Sequence, residues 1–543
     1  MPFTRSRSRA LRRLVCASRF ILLSLSGTAT AVSLAAPPST CVPPIAATNT
    51  QAAVANVGTG TPQSCTEAAL RSAILNASVV KFDCGGGPAT IALSTTIAVP
   101  TDRNIVIDGG GKITLDGGGR TRLLSVDREN FRTSRVGLTL QHITLANGKA
   151  VGTRYVPPSA SNASCSYGWA DGGGGAVYVR DSVLHAIDVT FLHNGGESPG
   201  PDVAGGAIYA VASLDVTVVG STFDGNTGSN GGAIGLLQSD GRLVNDAFTS
   251  NAATGAGANY VGGAATGCAG VAQANQGGSG GNGGAVSIDG GADGAQLVCG
   301  ATFSSNTANA FGGALFRTAD STPRQTTFDR TLFEANRAKS GGALYVQNAK
   351  PLVIVGSTFA ANSAIGAGAA ELVGDALNVT NTTFANNVAT LGIGGALQLS
   401  GSDASGFIRN ATFTGNQSTG GPGYFSAAIA GALDFPITNT VFANNLTKDA
   451  GSPMQCWFSA GAGSADVQWP LKRPVGGLAD TPCVTGVRFV DPQLGVLAAN
   501  GGPTPTVAPA STSPLRGAGT NCPATDQRGA ARNTAHCTIG AVE

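Results

Sequence analysis

Short runs of apolar and polar residues in alternation recur along most of the chain. They include Ile91–Leu93, Ile105–Ile107, Ile113–Leu115, Leu352-Val353-Ile354-Val355 and Leu377-Asn378-Val379-Thr380. A period of two marks strands with one buried face, and runs of three to five residues are too short for helices. Between the runs stand glycine-rich corners and turns such as Asp108-Gly109-Gly110-Gly111. One segment breaks this pattern. Thr66 followed by Leu70, Ile74 and Leu75 predicts a short amphipathic helix to about Asn76, with Thr66 as its N-cap.

From about residue 172 to 445 the strands sit inside two repeating signatures. One is Gly-Gly-Ala followed by an apolar residue, beginning at Gly174, Gly205, Gly231, Gly283, Gly312, Gly341 and Gly394. The other is Phe-x-x-Asn, with phenylalanines Phe191, Phe223, Phe248, Phe303, Phe333, Phe359, Phe384, Phe413 and Phe442. Its asparagines are Asn194, Asn226, Asn251, Asn306, Asn336, Asn362, Asn387, Asn416 and Asn445. Most spacings between successive phenylalanines are 25 to 32 residues; the exception, Phe248 to Phe303, is 55 and is expected to hold an extra coil plus an insertion. This period fits one coil of a β-solenoid, in which stacked coils bury a core that no single coil can. The expected fold is all-β, a right-handed parallel β-helix with an N-terminal capping helix. Like residues then stack: phenylalanines in an inward aromatic column, asparagines along a turn in left-handed backbone, glycine pairs at corners that a Cβ would forbid.

Composition supports this. Glycine is 79 of 543 residues, charged residues are 12% and hydrophobic residues 42%, a balance that disfavours helices while leaving enough apolar surface for a large core. Five arginines from Arg5 to Arg13, the apolar stretch from Phe20 to Leu25 and small residues at Ala29-Thr30-Ala31 predict an export signal over residues 1–31, with Ser33-Leu34-Ala35 as a second cleavage site. The formal charge of +2 falls to −4 without that segment, which leaves no electrostatic footprint for nucleic acid. Export also explains the cysteines. Ten remain beyond the signal, without a Cys-x-x-Cys, and the pairs Cys65–Cys84, Cys456–Cys483 and Cys522–Cys537 are expected, the last stapling the C-terminal segment over the solenoid's end.

The two signatures resemble those of chlamydial polymorphic membrane proteins and of many bacterial surface β-helices. That resemblance implies a surface adhesin; this chain departs from it in lacking successive ten-residue alternating strands near its end, so no self-anchoring barrel is expected. The segments Asp491-Pro492-Gln493-Leu494, Asn500 to Thr506, Asp526-Gln527-Arg528-Gly529 and Ile539 to Glu543 resemble the choice-of-anchor Q domain, which implies a secreted or cell-surface setting. The organisation expected is a signal over 1–31, linker and cap over 32–84, solenoid over 85–490 and an anchor-like segment over 491–543.

Candidate chemistry is sparse. A hydrolase needs an acid and a base on either side of the scissile bond, and a calcium-dependent lyase needs clustered acidic oxygens and a base. The chain has no Asp-Asp, Gly-His-Gly or Arg-Ile-Lys, and Asp181, Asp188, Asp215, Asp224, Asp289 and Asp329 share no offset; Asp108 and Asp116 fit turns. No cofactor or metal is expected. The function expected is a non-catalytic adhesin, matrix component or carbohydrate-binding scaffold, with glycans or cell-surface molecules as partners. The alternative is a polysaccharide lyase or hydrolase acting on acidic glycans. Two insertions carry the candidate binding residues: 150–171 with Tyr155, Tyr167 and Trp169, and 252–282 with Tyr260. These aromatics form either a sugar-stacking platform or the packing of a loop onto the solenoid.

Overall fold

The computed structural model describes residues 40–51, 55–156, 168–197, 203–255, 280–291, 294–319, 324–400, 406–420, 426–431, 435–448, 452, 454–457 and 462–543. The chain winds as a parallel β-solenoid of about twelve coils. Each full coil passes through three sheets. In a representative one, Leu315–Thr318 lies in sheet 1, Thr326–Asp329 and Leu332–Glu334 lie in sheet 2, and Arg337–Ala338 lies in sheet 3. Among the described residues sheet 1 has eleven strands, sheet 2 twenty-six and sheet 3 eight, and all pair in parallel with the coil before and after.

The nine phenylalanines stand in direct register from Phe191 to Phe442. All are fully buried, and successive rings stack with centroids 4.5 to 5.3 Å apart. Phe248 and Phe303 are immediate neighbours, at 4.6 Å. Their 55-residue spacing therefore holds no extra coil. The strand Ile234–Leu237 pairs directly with Val286–Asp289, and the added length is an insertion alone.

The asparagines form a second buried column. From Asn226 to Asn416 each Nδ2 donates both to the carbonyl of the phenylalanine one coil back and to the Oδ1 of the asparagine one coil ahead, as Asn336 does to Phe303 at 2.9 Å and Asn362 at 3.0 Å; at the ends Asn194 donates to the Leu145 carbonyl and Asn445 to Gln455 Oε1. From Asn226 to Asn445 each Oδ1 in turn accepts from the backbone N–H and the Nδ2 of the preceding asparagine, so every polar atom of the amide is satisfied. The left-handed backbone falls one residue earlier than the sequence implied. It is Ser305, Ala335 and Ala361, at φ 57°, 55° and 53°, that turn the chain, which leaves the asparagine side chain free to point inward.

The two glycines of each pair have different reasons to be glycine. The first is left-handed, as at Gly312 with φ 64°; the second is pressed against the next coil, so that a Cβ on Gly313 would lie 2.0 Å from the Gly342 carbonyl oxygen. An outlier stands in the core. Arg317 occupies an inward register position between Ile288 and Val346, fully buried, and its guanidinium turns back to donate to the Thr318 carbonyl at 2.6 Å.

The helix Glu67–Asn76 is capped by Thr66, whose Oγ1 accepts from Ala69 N–H at 3.2 Å. Leu70 and Ile74 are buried, but Leu75 is 60% exposed; it sits about 100° around the helix from Ile74, off the buried face, and Ala73 takes the expected place. Sheet 2 already includes Ala55–Val57 and Val79–Phe82, so solenoid strands lie inside the segment expected to be linker and cap.

Both ends of the described chain run along one lateral edge, at the left-handed bends between the two strands of sheet 2. Near the N-terminus, residues 40–51 form a strap: Cys41 is disulfide-bonded to Cys299, Asn245 binds its backbone, and Thr50 donates to Asp108 at 2.7 Å. The three expected disulfides are present, and Cys41–Cys299 is a fourth; Cys165 and Cys268 lie outside the described residues. The tail does not cover the solenoid's end as expected. Gln527, almost wholly buried, donates to Thr358 Oγ1 at 2.7 Å and accepts from Thr383 Oγ1 at 2.7 Å, which fastens the tail across the side of the coils.

Candidate functional site

Strands of sheet 1 alternate inward and outward residues. Inward positions such as Val177, Ile208, Val286, Leu315 and Leu344 belong to the core. The residue immediately after each is outward, and parallel register stacks these residues into one ledge: Ser125, Tyr178, Tyr209, Gly235, Ser287, Phe316, Tyr345, Glu371, Gln398 and Ala430.

The ledge has a covered end and an open end. At the covered end lies the insertion expected to carry binding aromatics. Tyr155 and Trp169 are brought opposite each other in a two-stranded antiparallel pair. Trp169 is half-buried over Gly152, where a Cβ would come within 2.4 Å of its ring. Asp171 holds the base of this hairpin by accepting from Thr153 N–H and Arg154 N–H, both at 2.9 Å. Arg154 then reaches over the ledge to Tyr178 Oη at 3.0 Å and Asp127 at 3.1 Å, and Arg122 stacks its guanidinium 5.1 Å from the Tyr178 ring. Tyr178 is buried, and burial raises its phenol above the usual range, so it stays protonated and is no base. Trp169 packs against Gly152 and Gly172 of the same insertion and keeps part of its surface in solvent. Tyr167 and Tyr260 lie outside the described residues.

At the open end, Tyr345 stacks on Phe311 at 4.5 Å and on Phe316 at 5.5 Å. Tyr345, Phe311, Glu371 and Gln398 all keep part of their surface in solvent. Burial raises the Glu371 carboxyl, against the opposing hydrogen bond from Ser340 Oγ, and Gln398 Nε2 approaches its other oxygen at 3.4 Å. Burial, with the nearby charges of Glu371 and Asp375, pushes the Tyr345 phenol to about 12. Asp375 cannot serve as a second carboxylate partner: its oxygens accept from Ala349 N–H and Val373 N–H and it is 7% exposed. The arrangement offers ring surface beside an acceptor and an amide, which can bind a polar ring with an apolar face.

None of Phe311, Phe316, Tyr345, Glu371 and Gln398 was singled out by sequence. For Phe316, Tyr345 and Gln398 the available signal was positional: the residue one step past the Gly-Gly-Ala-apolar motif. Of the acidic residues weighed for catalysis, Asp108 and Asp188 flank the His142 ring at 3.1 and 3.7 Å, away from the ledge. Asp108 and Asp116 accept from Gly110 N–H at 3.0 Å and Gly118 N–H at 2.8 Å, as turn residues do, and Asp215 is engaged by His185 at 3.1 Å on a different sheet. Cys41, Cys299 and Asp329 come together, but the two cysteines are bonded to each other and are no metal ligands.

No protein-family model matches the chain. No curated protein matches it either. One solved structure that it resembles is an alginate lyase, AlyF-OU02, in complex with G6, at 11% identity over 79% of this chain and 86% of that chain, with a TM-score of 0.39. At that score the likeness carries no argument.

Proposed function

We propose that this chain is an exported, non-catalytic glycan-binding or adhesive solenoid, and that the open end of the sheet 1 ledge is its binding surface. The observation that supports this reading is the cluster of Tyr345, Glu371 and Gln398 on one outward column, with Phe311 stacked against Tyr345. Aromatic rings pack against the C–H face of a sugar, while a carboxyl and an amide exchange hydrogen bonds with its hydroxyls. Regular coils beneath the cluster make a stiff platform for such contacts. Four disulfides among the described residues fit an oxidising compartment. No helix of the described residues is long and apolar enough to cross a membrane.

One feature favours a second reading, catalysis on acidic glycans: Glu371 holds its proton to higher pH than an ordinary glutamate, as a general acid must. Against it stands the engagement of Asp375, which leaves Glu371 without a partner carboxylate on the ledge. A glycan array with the purified protein, paired with an assay for unsaturated products from uronate polysaccharides, separates the two. Binding without turnover, weakened at least tenfold in Tyr345→Ala, is the expected result. Unsaturated or shortened products would overturn the non-catalytic reading.

A further inference from the structure

Between Thr40 of the N-terminal strap and the C-terminal tail, along the same edge, lies a cavity of about 580 Å³. Ligand pockets typically measure roughly 300–1,000 Å³. Its floor is made of the left-handed bends of three successive coils, Arg330, Gly356 and Asn381, at φ 46°, 60° and 49°. Thr40 of the strap forms one wall, held in place by the neighbouring Cys41–Cys299 bond. The turn Asp526-Gln527-Arg528-Gly529 forms the other, held by Gln527. Its four charged side chains come as two pairs: Arg330 binds both oxygens of Asp329 at 2.9 and 2.6 Å, and Arg528 binds Asp526 at 2.8 Å.

We propose that this cavity is a second binding site, for a neutral sugar of one or two residues. Its formal charges cancel, so neither an anion nor a cation meets a net field. Each guanidinium keeps donor capacity: Arg330 Nη1 donates one bond, to the Thr40 carbonyl, and Arg528 makes its bonds through Nε and Nη2. The carboxylates beside them, Asp329 above all, offer acceptors. Sugar hydroxyls are donor and acceptor at once, and a lining that presents both at zero net charge suits them, whereas the carboxylate of a uronate gains no net attraction there. Val355 and Pro503 supply the apolar side for the C–H face of the ring. The site stands apart from the sheet 1 ledge and does not rest on it.

Titration calorimetry on the full chain tests this, using glucose, galactose, mannose, their disaccharides, and glucuronate and galacturonate. The variants are Arg330→Gln, which removes donors, Val355→Trp, which fills the cavity, and Tyr345→Ala, which alters only the ledge. Saturable binding of a neutral sugar is expected, weakened at least tenfold by Arg330→Gln and by Val355→Trp. Thermal melting confirms that each variant is folded; should Val355→Trp fail to fold, Arg330→Gln decides. The proposal is overturned if no neutral sugar in the set binds, if a uronate binds more tightly, or if binding survives both cavity variants. Loss of binding in Tyr345→Ala alone would place the sugar on the ledge and overturn it too.

Discussion

The asparagine column makes a demanding prediction at Asn336, because its side chain is buried and all its hydrogen-bond partners are known. Asn336→Ala removes four bonds: two donated, to Phe303 O and Asn362 Oδ1, and two accepted, from Asn306 N–H and Asn306 Nδ2, all at 2.9 to 3.0 Å. The surviving side-chain atoms of Asn306 and Asn362 keep other partners. Asn306 N–H and the Phe303 carbonyl lose the partners that Asn336 gives them. A buried group left unsatisfied costs about 1–3 kcal/mol and a lost hydrogen bond about 1 kcal/mol, so the orphaned Asn306 N–H, together with the bonds lost by Phe303 O, which keeps its ladder partner, and by the neighbouring amides, sets an expected loss of about 4 kcal/mol. Asn336→Asp is nearly isosteric and should nevertheless be worse than alanine near neutral pH. Its second oxygen would face two acceptors, Phe303 O and Asn362 Oδ1, and its charge would be buried without a cation. Lowering the pH should narrow the gap, since a protonated carboxyl can donate once. Denaturant unfolding followed by far-UV circular dichroism gives the global value. Native-state hydrogen exchange shows whether the loss is confined to adjacent coils, as nearest-neighbour stability in a solenoid implies. A loss below about 1 kcal/mol for alanine, or aspartate the more stable of the two, would refute the reasoning.

Three further outcomes follow from the same geometry. Phe359→Ala should cost about 3–5 kcal/mol by denaturant titration, because the ring is fully buried between Phe333 at 4.7 Å and Phe384 at 4.8 Å. Gly313→Ala should lower the melting temperature sharply because its Cβ would meet a backbone oxygen at 2.0 Å, whereas Gly86→Ala, with nothing within 4 Å, should leave it unchanged. Burial pushes Asp466 and Asp375 up to about 8, so each keeps its proton in the folded state after the unfolded chain has released it. Their contribution is full below the unfolded pKa of about 4 and is lost as pH rises through the folded value, so melting temperature should fall between about pH 4 and 8 and Asp466→Asn should flatten that slope.

What could be read from the sequence divides along the inside and outside of the coil. An inward residue stacks on its counterpart in the next coil, so phenylalanine sits best on phenylalanine and an asparagine amide on another asparagine. Identity is thereby repeated at every turn, and repetition is visible in a sequence. Spacing is a weaker guide than identity. The 55 residues from Phe248 to Phe303 could equally hold a coil or a loop, and only strand register distinguishes them. The lateral path of the tail had no periodic signal at all: Gln527 meets Thr358 and Thr383 across 169 and 144 residues, through bonds that any amide and hydroxyl could make.

Outward positions obey the opposite logic, and that is why the site was missed. The ledge residue of each coil has the same register address, one step past the Gly-Gly-Ala-apolar motif in every coil but that of Glu371, and successive coils place Tyr, Tyr, Gly, Ser, Phe, Tyr, Glu and Gln there. A search for repeated identity passes over such a column because nothing in it repeats. In a solenoid the stacking requirement fixes inward residues whatever the protein does, whereas outward residues on a regular sheet are free to differ. An aromatic cluster at an outward address, as at Phe316 and Tyr345, therefore is not required by the coil's own stability in the way that Phe333 or Phe359 is. It stands where flat polar residues would serve the sheet equally well and would hide less apolar surface from water. Aligning coils by their inward motifs and then reading only the outward addresses turns the repeat from an obstacle into a ruler, and by that measure the Tyr345 region is where this chain departs furthest from what its fold demands.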